Sequence, residues 1–426
     1  MSLIRWYKLD GNTYDSSSTR DNGTNTGVTF SSSYGKIGQG GNFTGDGNTE
    51  INFTEITLTT HHTVCFWMYS NTASPGGATD SMILGSYGDD TYDWMYAADS
   101  LRFRINDGTS SYSWDTTTPG AEFPVNYYHV WHHVSVIFSS STMELFIDGT
   151  SYGTRSYDGT FVLSNIGHPY NSTSFDYTGY LNDVRVYDHV LSTREIKELA
   201  RCKVLHWKFV ENKDTSGDLV LDSSNFGRNA TLNSSTPTWT ADTVVGAGCY
   251  YWASGSNDYI QISSTDFPVV FTDEISISLW YYPQNTGGAW ESLVHGTISG
   301  GWGTSYWLAK YSSTSARFAL NGTSYNFNPG FTQDTWHHIF ATYDGSNVNC
   351  FIDGIEKIGN TARTGSTTNQ SGLKLGLTGD GSYAMYGKIA DLKIYNKGYS
   401  QTEGETMADF LRQTACQLDN KGNLWC

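Results

Sequence analysis

The sequence predicts an all-β protein built from two tandem antiparallel β-sandwiches of jelly-roll type, each ending in one short helix. The first observation behind this is internal repetition. Trp131-His132-His133-Val134 returns as Trp336-His337-His338-Ile339, and Phe146-Ile147-Asp148-Gly149 returns as Phe351-Ile352-Asp353-Gly354. Asp183-Val184-Arg185-Val186-Tyr187 returns as Asp391-Leu392-Lys393-Ile394-Tyr395. The spacing is steady at roughly 200 residues, far longer than a solenoid repeat, so each copy is a domain in its own right. The second observation is composition: 45 Gly, 29 Tyr and only 16% charged residues. This suits many short strands, half-buried by aromatic and β-branched side chains and joined by frequent turns. The third is the alternation of apolar and polar residues in short runs closed by turn signals.

The elements follow in chain order. Leu3-Ile4-Arg5-Trp6-Tyr7 reads as an opening strand, with Trp6 aligned to Trp207 in the second copy. The turn before Asp15-Ser16-Ser17 aligns with that before Asp222-Ser223-Ser224, Gly38-Gln39-Gly40 with Gly246-Ala247-Gly248, and Phe66-Trp67 with Leu279-Trp280. Val134 to Phe138, a polar turn, Met143 to Ile147 and a closing Asp148-Gly149 read as a hairpin meander, repeated from Ile339 to Gly354. Ser192 and Glu195 form a capping box ahead of Ile196, Leu199 and Ala200, and Ser400 and Glu403 repeat it, so one helix is expected at each domain end. The expected boundaries are 1–201 and 203–410, with a tail at 411–426 and no linker rich in proline or glycine.

The net charge of −17 repels phosphate backbones, so nucleic acid is not an expected partner. No apolar run is long enough to span a membrane. No charged and then apolar leader precedes Leu3, so no Sec signal peptide is expected. Cys65, Cys249 and Cys350 do not recur in the other copy, which points to buried free thiols and not to a disulfide framework. Cys416 and Cys426 bracket the polar tail and would close a small loop in an oxidising environment.

Taken in order, the aromatic opening strand, Lys36-Ile37-Gly38-Gln39-Gly40, the Phe-Trp strand, Trp-His-His-Val, Phe-Ile-Asp-Gly and Asp-Val-Arg-Val-Tyr leading to Leu-Ser resemble LamG-like, concanavalin A-like jelly-roll domains. The resemblance covers about residues 1–201 and 203–410. It implies two antiparallel sheets packed face to face, one of them concave, that bind carbohydrate or protein. It also implies one structural calcium per domain, with Asp183 and Asp391 in the late strands as ligands, joined by Asp15 and Asp222. Capping of turns by these aspartates is the competing reading. Tandem copies starting at Met1 are similar to those in proteins of bacteriophage and large-virus particles, which implies a place on the virion or another extracellular surface.

Adjacent strand residues point to opposite faces, so His132 and His133 cannot readily share one ion and are expected to be packed, as are His337 and His338. Aromatic residues crowd the stretch between the Phe-Trp strand and Trp-His-His in both copies. Trp94, Trp114, Trp290, Trp302 and Tyr306 are the candidate ligand-binding residues, because sugar C–H faces stack on flat rings. Trp302, in Gly300-Gly301-Trp302-Gly303, has no counterpart in the first copy, while half of the aromatics in this stretch are expected in the core.

Related jelly-roll glucanases carry Glu-x-Asp-x-x-Glu, which sets two carboxylates across a scissile bond; this sequence has no such run. Gly45-Asp46-Gly47 has no serine and Gly255-Ser256-Asn257 lacks the elbow pattern, so no esterase nucleophile is expected. The expected function is a non-catalytic, lectin-like binding or adhesion protein that recognises host glycans as a surface, tail or fibre component of a particle. The alternative is a structural virion or assembly protein that uses its jelly rolls for protein packing. The tail, with Leu418, Leu424 and Trp425, is expected to dock on the second domain or on a neighbouring subunit, giving a homo-oligomer.

Overall fold

The computed structural model describes residues 2–71, 81–86, 93–98, 102–107, 110–115, 128–168, 176–224, 226–233, 237–267, 271, 274–285, 287–364, 367 and 372–415. The chain divides into two compact units, Met1–Cys202 and Lys203–Cys426. Each contains two antiparallel sheets and one helix near its end.

In the first domain one sheet runs in the order Thr150–Ser156, Thr142–Ile147, Trp131–Phe138, His62–Ser70, Thr178–Tyr187, Gly40–Thr44 and Thr29–Ser31, and Leu3–Tyr7 also pairs with Thr178–Tyr187. The other runs Ser111–Asp115, Arg102–Asp107, Asp93–Ala98, Ser81–Gly85, Phe161–Ile166, Glu50–Leu58 and Thr24–Thr26. Between them lies the core. Val64, Phe66 and Met68 meet Val134, Val136 and Phe138 there, along with Ile83, Leu84 and Phe161 from the opposite sheet. The intervening residues face outward, yet they too are covered: Cys65, Ile137 and Phe146 pack under Ile196 of the terminal helix and Leu191 just before it. Coverage on both faces explains why His62–Ser70 is buried over most of its length.

That helix, α1, spans Thr193–Ala200 and starts with the expected capping box between Ser192 and Glu195. Its counterpart α2 spans Gln401–Ala415, with Ser400 Oγ donating to Glu403 Oε2 at 2.8 Å. Helix α2 therefore runs past the expected boundary at 410. Leu411 is buried with Met407 and Ala408 against Phe340, Phe351 and Tyr399, so it belongs to the domain and not to a tail. Burial of each such side chain stabilises by about 1.5–3 kcal/mol. A Cβ on Gly404 would come within 2.7 Å of the Phe351 ring, so the close approach of helix to sheet requires glycine there. Cys416, Cys426 and the rest of 416–426 lie outside the described residues, with the tail-mediated oligomer expected from them.

The repeated motifs have a common geometric cause. Asp148 and Gly149 have φ values of 51° and 80°, and Asp353 and Gly354 have 54° and 79°. Two consecutive positive φ values make the two-residue hairpin whose twist matches the flanking strands. The aspartate then ties the hairpin to the neighbouring strand. His132 Nδ1 lies 2.7 Å from Asp148 Oδ2, and the His133 N–H donates to Asp148 Oδ1 at 2.9 Å. His337, His338 and Asp353 repeat this at 2.7 and 2.8 Å. The histidines are packed, as expected.

One alignment is corrected. Tyr7 lies opposite Val184 and Trp207 opposite Leu392, whereas Trp6 lies opposite Arg185 and His206 opposite Lys393. The counterpart of Trp207 is Tyr7, and that of Trp6 is His206. A shift of one residue exchanges the two faces of a strand, and only the pairing partner decides which face is which. Cys65, Cys202, Cys249 and Cys350 are buried free thiols.

Candidate functional site

In the second domain the sheet away from α2 contains, in order, Leu373–Leu375, Glu291–His295, Tyr306–Ser312, Ser315–Leu320 and Thr323–Phe327. Its pairing sorts the side chains. Trp307 lies between His295 and Ala319, and Ala309 lies between Ser292 and Arg317. Leu308 and Lys310 have the opposite parity and face the other sheet. There Lys310 Nζ meets Glu291 Oε1 at 2.7 Å, and Tyr281 Oη donates to Glu291 Oε2 at 3.0 Å. Burial raises the Glu291 carboxyl, opposed by Lys310.

On the outer face, the small side chains of Ala309 and Ala319 leave room for large neighbours. Trp290, Trp302 and Tyr383 pack there around Trp307. Trp307 is 5.5 Å from Trp290, 6.0 Å from Trp302 and 5.5 Å from Tyr383, with which it stacks; Tyr311 lies 5.0 Å from Trp290. Into this group projects Arg317. Its guanidinium carbon is 4.3 Å from the Trp290 ring, 5.1 Å from Trp302 and 5.9 Å from Trp307, and its Nε donates to Asn326 Oδ1 at 2.9 Å. Burial lowers the Arg317 pKa.

Two loops border the face. His295 Nδ1 accepts from the Gly379 N–H at 2.9 Å, and Lys374 Nζ donates to the Gly379 carbonyl at 3.2 Å. A Cβ on Gly379 would stand 2.6 Å from the Gly300 carbonyl oxygen, so the loop carrying Trp302 and the loop carrying Asp380 touch backbone to backbone. Asp380 accepts from Thr378 Oγ1 at 2.7 Å and from the Ser382 N–H at 3.0 Å. Burial pushes His295 down to about 4. Trp290, Trp302, Tyr383 and Arg317 are half-buried and cover Trp307, which is 1% exposed, so the surface offers flat apolar rings beside a guanidinium.

The structure therefore brings together Trp290 and Trp302 of the candidates. Trp302 is half-buried, because Arg317 and Trp307 lie against it. Tyr306 is corrected: it is fully buried and packs edge-on to Phe271 at 5.6 Å. Trp114 is also corrected: it is fully buried in the first core and donates through Nε1 to the Gly153 carbonyl at 2.9 Å. Trp94 pairs with Gly85 as Trp307 pairs with His295, so it is the counterpart of Trp307, and its side chain lies outside the described residues. Arg317, Tyr311 and Tyr383 were not singled out by the sequence. One signal was available: Arg104 holds the same register as Arg317 and donates through Nε to Ser113 Oγ at 3.0 Å.

The aspartates expected to hold calcium do not fit that ion as placed. Asp183 accepts from Trp6 Nε1 at 2.6 Å and pairs with Arg185 at 2.9 Å. Asp391 pairs with His206 at 2.7 Å and with Lys393. Asp15 accepts from the Trp6 and Ser17 N–H groups and from Ser17 and Thr19 hydroxyls. Asp222 accepts from the His206, Ser224 and Arg228 N–H groups and from Ser224 Oγ. A site that already holds a cation, or is filled with donors, opposes a second cation. The competing reading, turn capping, describes Asp15 and Asp222.

Gly149-Thr150-Ser151-Tyr152-Gly153 matches the elbow string Gly-x-Ser-x-Gly. It lies in the Asp-Gly hairpin and the strand Thr150–Ser156, not between a strand and a helix, and Ser151 Oγ donates to Glu144 Oε1 at 2.5 Å.

Domain 4 of an extracellular arabinanase from Geobacillus stearothermophilus, in complex with arabinotriose, is 15% identical with a TM-score of 0.38, covering 47% of this chain and 98% of that one. The binding domain of botulinum neurotoxin serotype G is 11% identical with a TM-score of 0.38, covering 80% and 85%. Domains LG4-5 of the mouse laminin α1 chain are 9% identical with a TM-score of 0.27, covering 82% and 88%. Scores of this size tie the chain to none of them in particular. No curated protein matches it by sequence. The family model of the concanavalin A-like lectin/glucanases superfamily, Laminin_G_3, matches residues 41–197 and again 254–403. The chain belongs to that superfamily, with two of its domains in tandem.

Proposed function

We propose that the protein is a non-catalytic, lectin-like binding protein whose saccharide site is the outer face around Trp290, Trp302, Trp307 and Arg317. The observation that carries this is the convergence of the partly exposed Trp290, Trp302 and Arg317 over the buried Trp307 and a floor of alanines. Aromatic faces take the C–H side of a sugar ring, and N–H donors take its hydroxyls. The non-catalytic reading is supported by the disposition of nearby acids. Glu291 is turned into the core against Lys310, and Asp380 is held by Thr378 and Ser382. The setting on a virus or phage particle, recognising host glycans, is proposed from the resemblance of the tandem arrangement.

The test is a glycan-array screen of the full chain, run with calcium and again with chelator. A reproducible signal that is lost in Trp302→Ala supports the reading. A blank array with folded protein overturns it.

A second reading, protein packing without sugar, is favoured by a different surface. In the first domain Tyr34 stacks on Tyr180 at 4.8 Å, Tyr180 on Tyr69 at 5.2 Å, and Trp131 lies 5.5 Å from Tyr69. Rings stacked on one another present edges outward, which suits a protein surface better than a pyranose. A stable oligomer or a copurifying partner, lost on Tyr69→Ala, would support that reading.

A further inference from the structure

We infer that the saccharide bound on this face carries an oxyanion, a carboxylate or a sulfate ester, and that Arg317 receives it. This rests on the sugar-binding reading of the same site and names its ligand class.

The chain has 42 acidic residues against 25 Lys and Arg, so a cation here readily finds an acid. Arg5 pairs with Asp21, Arg185 with Asp183, Arg201 with Glu198 and Arg412 with Asp409. Arg317 has no carboxylate partner among the described residues. Its Nε is taken by Asn326, and neither terminal nitrogen is a buried orphan, so the two amino groups are open to a ligand. The Trp290 and Trp302 rings both lie against the guanidinium.

That combination is an anion fork prepared in advance. A guanidinium donates two parallel N–H bonds to a carboxylate or sulfate, and a side chain already fixed loses less freedom on binding. Partial burial opposes the charge of Arg317, and the only opposing influence is Tyr383. A bound oxyanion would supply the missing counter-charge. The other charged groups near the face are engaged. Lys374 is directed to the Gly379 carbonyl and lies 4.4 Å from the Tyr259 ring, and Asp380 is held by Thr378 and Ser382. In the first domain Arg104 stands at the same register, with its Nε on Ser113 Oγ. The net charge of −17 disfavours long polyanions, so the fitting ligand is a short saccharide with one acid at the site.

The experiment uses the full chain on an array of matched pairs. Uronate and sialylated oligosaccharides are each printed beside their carboxyl-reduced forms, and sulfated ones beside their desulfated forms. The expected result is binding of one acidic class stronger than its neutral partner by about tenfold or more. Arg317→Gln should abolish the preference, bringing the two members of that pair level, with thermal melting unchanged. Arg317→Lys, which keeps the charge but not the fork, should recover only part. Preference for carboxylate over sulfate, or the reverse, identifies the source of the anion. Equal binding of acidic and neutral partners overturns this inference and leaves the sugar-binding reading standing. No binding to any member of the array overturns both.

Discussion

His337 Nδ1 and Asp353 Oδ2 stand 2.7 Å apart, and the other oxygen of Asp353 takes the His338 N–H at 2.8 Å. His132, His133 and Asp148 do the same in the first domain. The aspartate occupies the first position of a two-residue hairpin and ties it to a central strand, which accounts for the fixed spacing between Trp-His-His and Asp-Gly.

Asp353→Ala removes both hydrogen bonds and places alanine at a positive φ. The expected loss is about 1–3 kcal/mol in urea unfolding. Asp353→Asn, which tolerates that backbone and keeps one acceptor, should lose less. A double-mutant cycle with His337→Ala should show coupling; additive losses would mean the pair is incidental.

Stability should fall in mild acid. Burial pushes His206 and His295 down to about 4 and His338 down to about 3, from an ordinary value of 6.5. Above the ordinary value both states are neutral and the fold has its full stability. Between pH 6.5 and 4 the unfolded chain takes up protons that the folded chain refuses, so stability is lost as pH falls. Asp93, raised to about 6 by burial, acts in the opposite sense, as do Glu211 and Glu291, which burial also raises, but the three histidine shifts are the larger between pH 7 and 5. The urea midpoint should drop from pH 7 to pH 5, with a shallower slope in His338→Gln. A midpoint independent of pH would refute this account.

The buried pair in the second core is a liability if halved. Lys310→Met leaves Glu291 without its cation between the sheets and should cost about 3–5 kcal/mol. Glu291→Gln combined with Lys310→Met should recover most of that loss. If the single and double variants unfold at the same urea concentration, the pair is not coupled.

Calcium should not change thermal stability. A ligand that binds only the folded state raises the melting temperature with its concentration. Since Asp15, Asp183, Asp222 and Asp391 are engaged with internal donors and cations, melting in millimolar calcium and in chelator should agree within about 1 °C. A rise of several degrees with calcium would show a site elsewhere in the chain.

The sequence by itself determined the fold class and the duplication, because period-two alternation, Asp-Gly turns and capping boxes act over a few residues and leave local marks. It also named Trp290 and Trp302, but on the same grounds as Tyr306 and Trp114, since a large ring serves a core as readily as a surface. Only the tertiary structure decided that Tyr306 points inward while Trp307 points outward. Both are large aromatics on one strand, and which parity faces the core depends on the neighbouring strand's register. The same cause misaligned Trp6 with Trp207. Trp114 went into the core for the same reason, its strand placing it opposite Phe103. Arg317 was hidden because a single arginine in Ser315-Ala316-Arg317-Phe318 reads as an ordinary solvated position. Its role appears only when separate loops and strands bring two indole rings against it without bringing an acid.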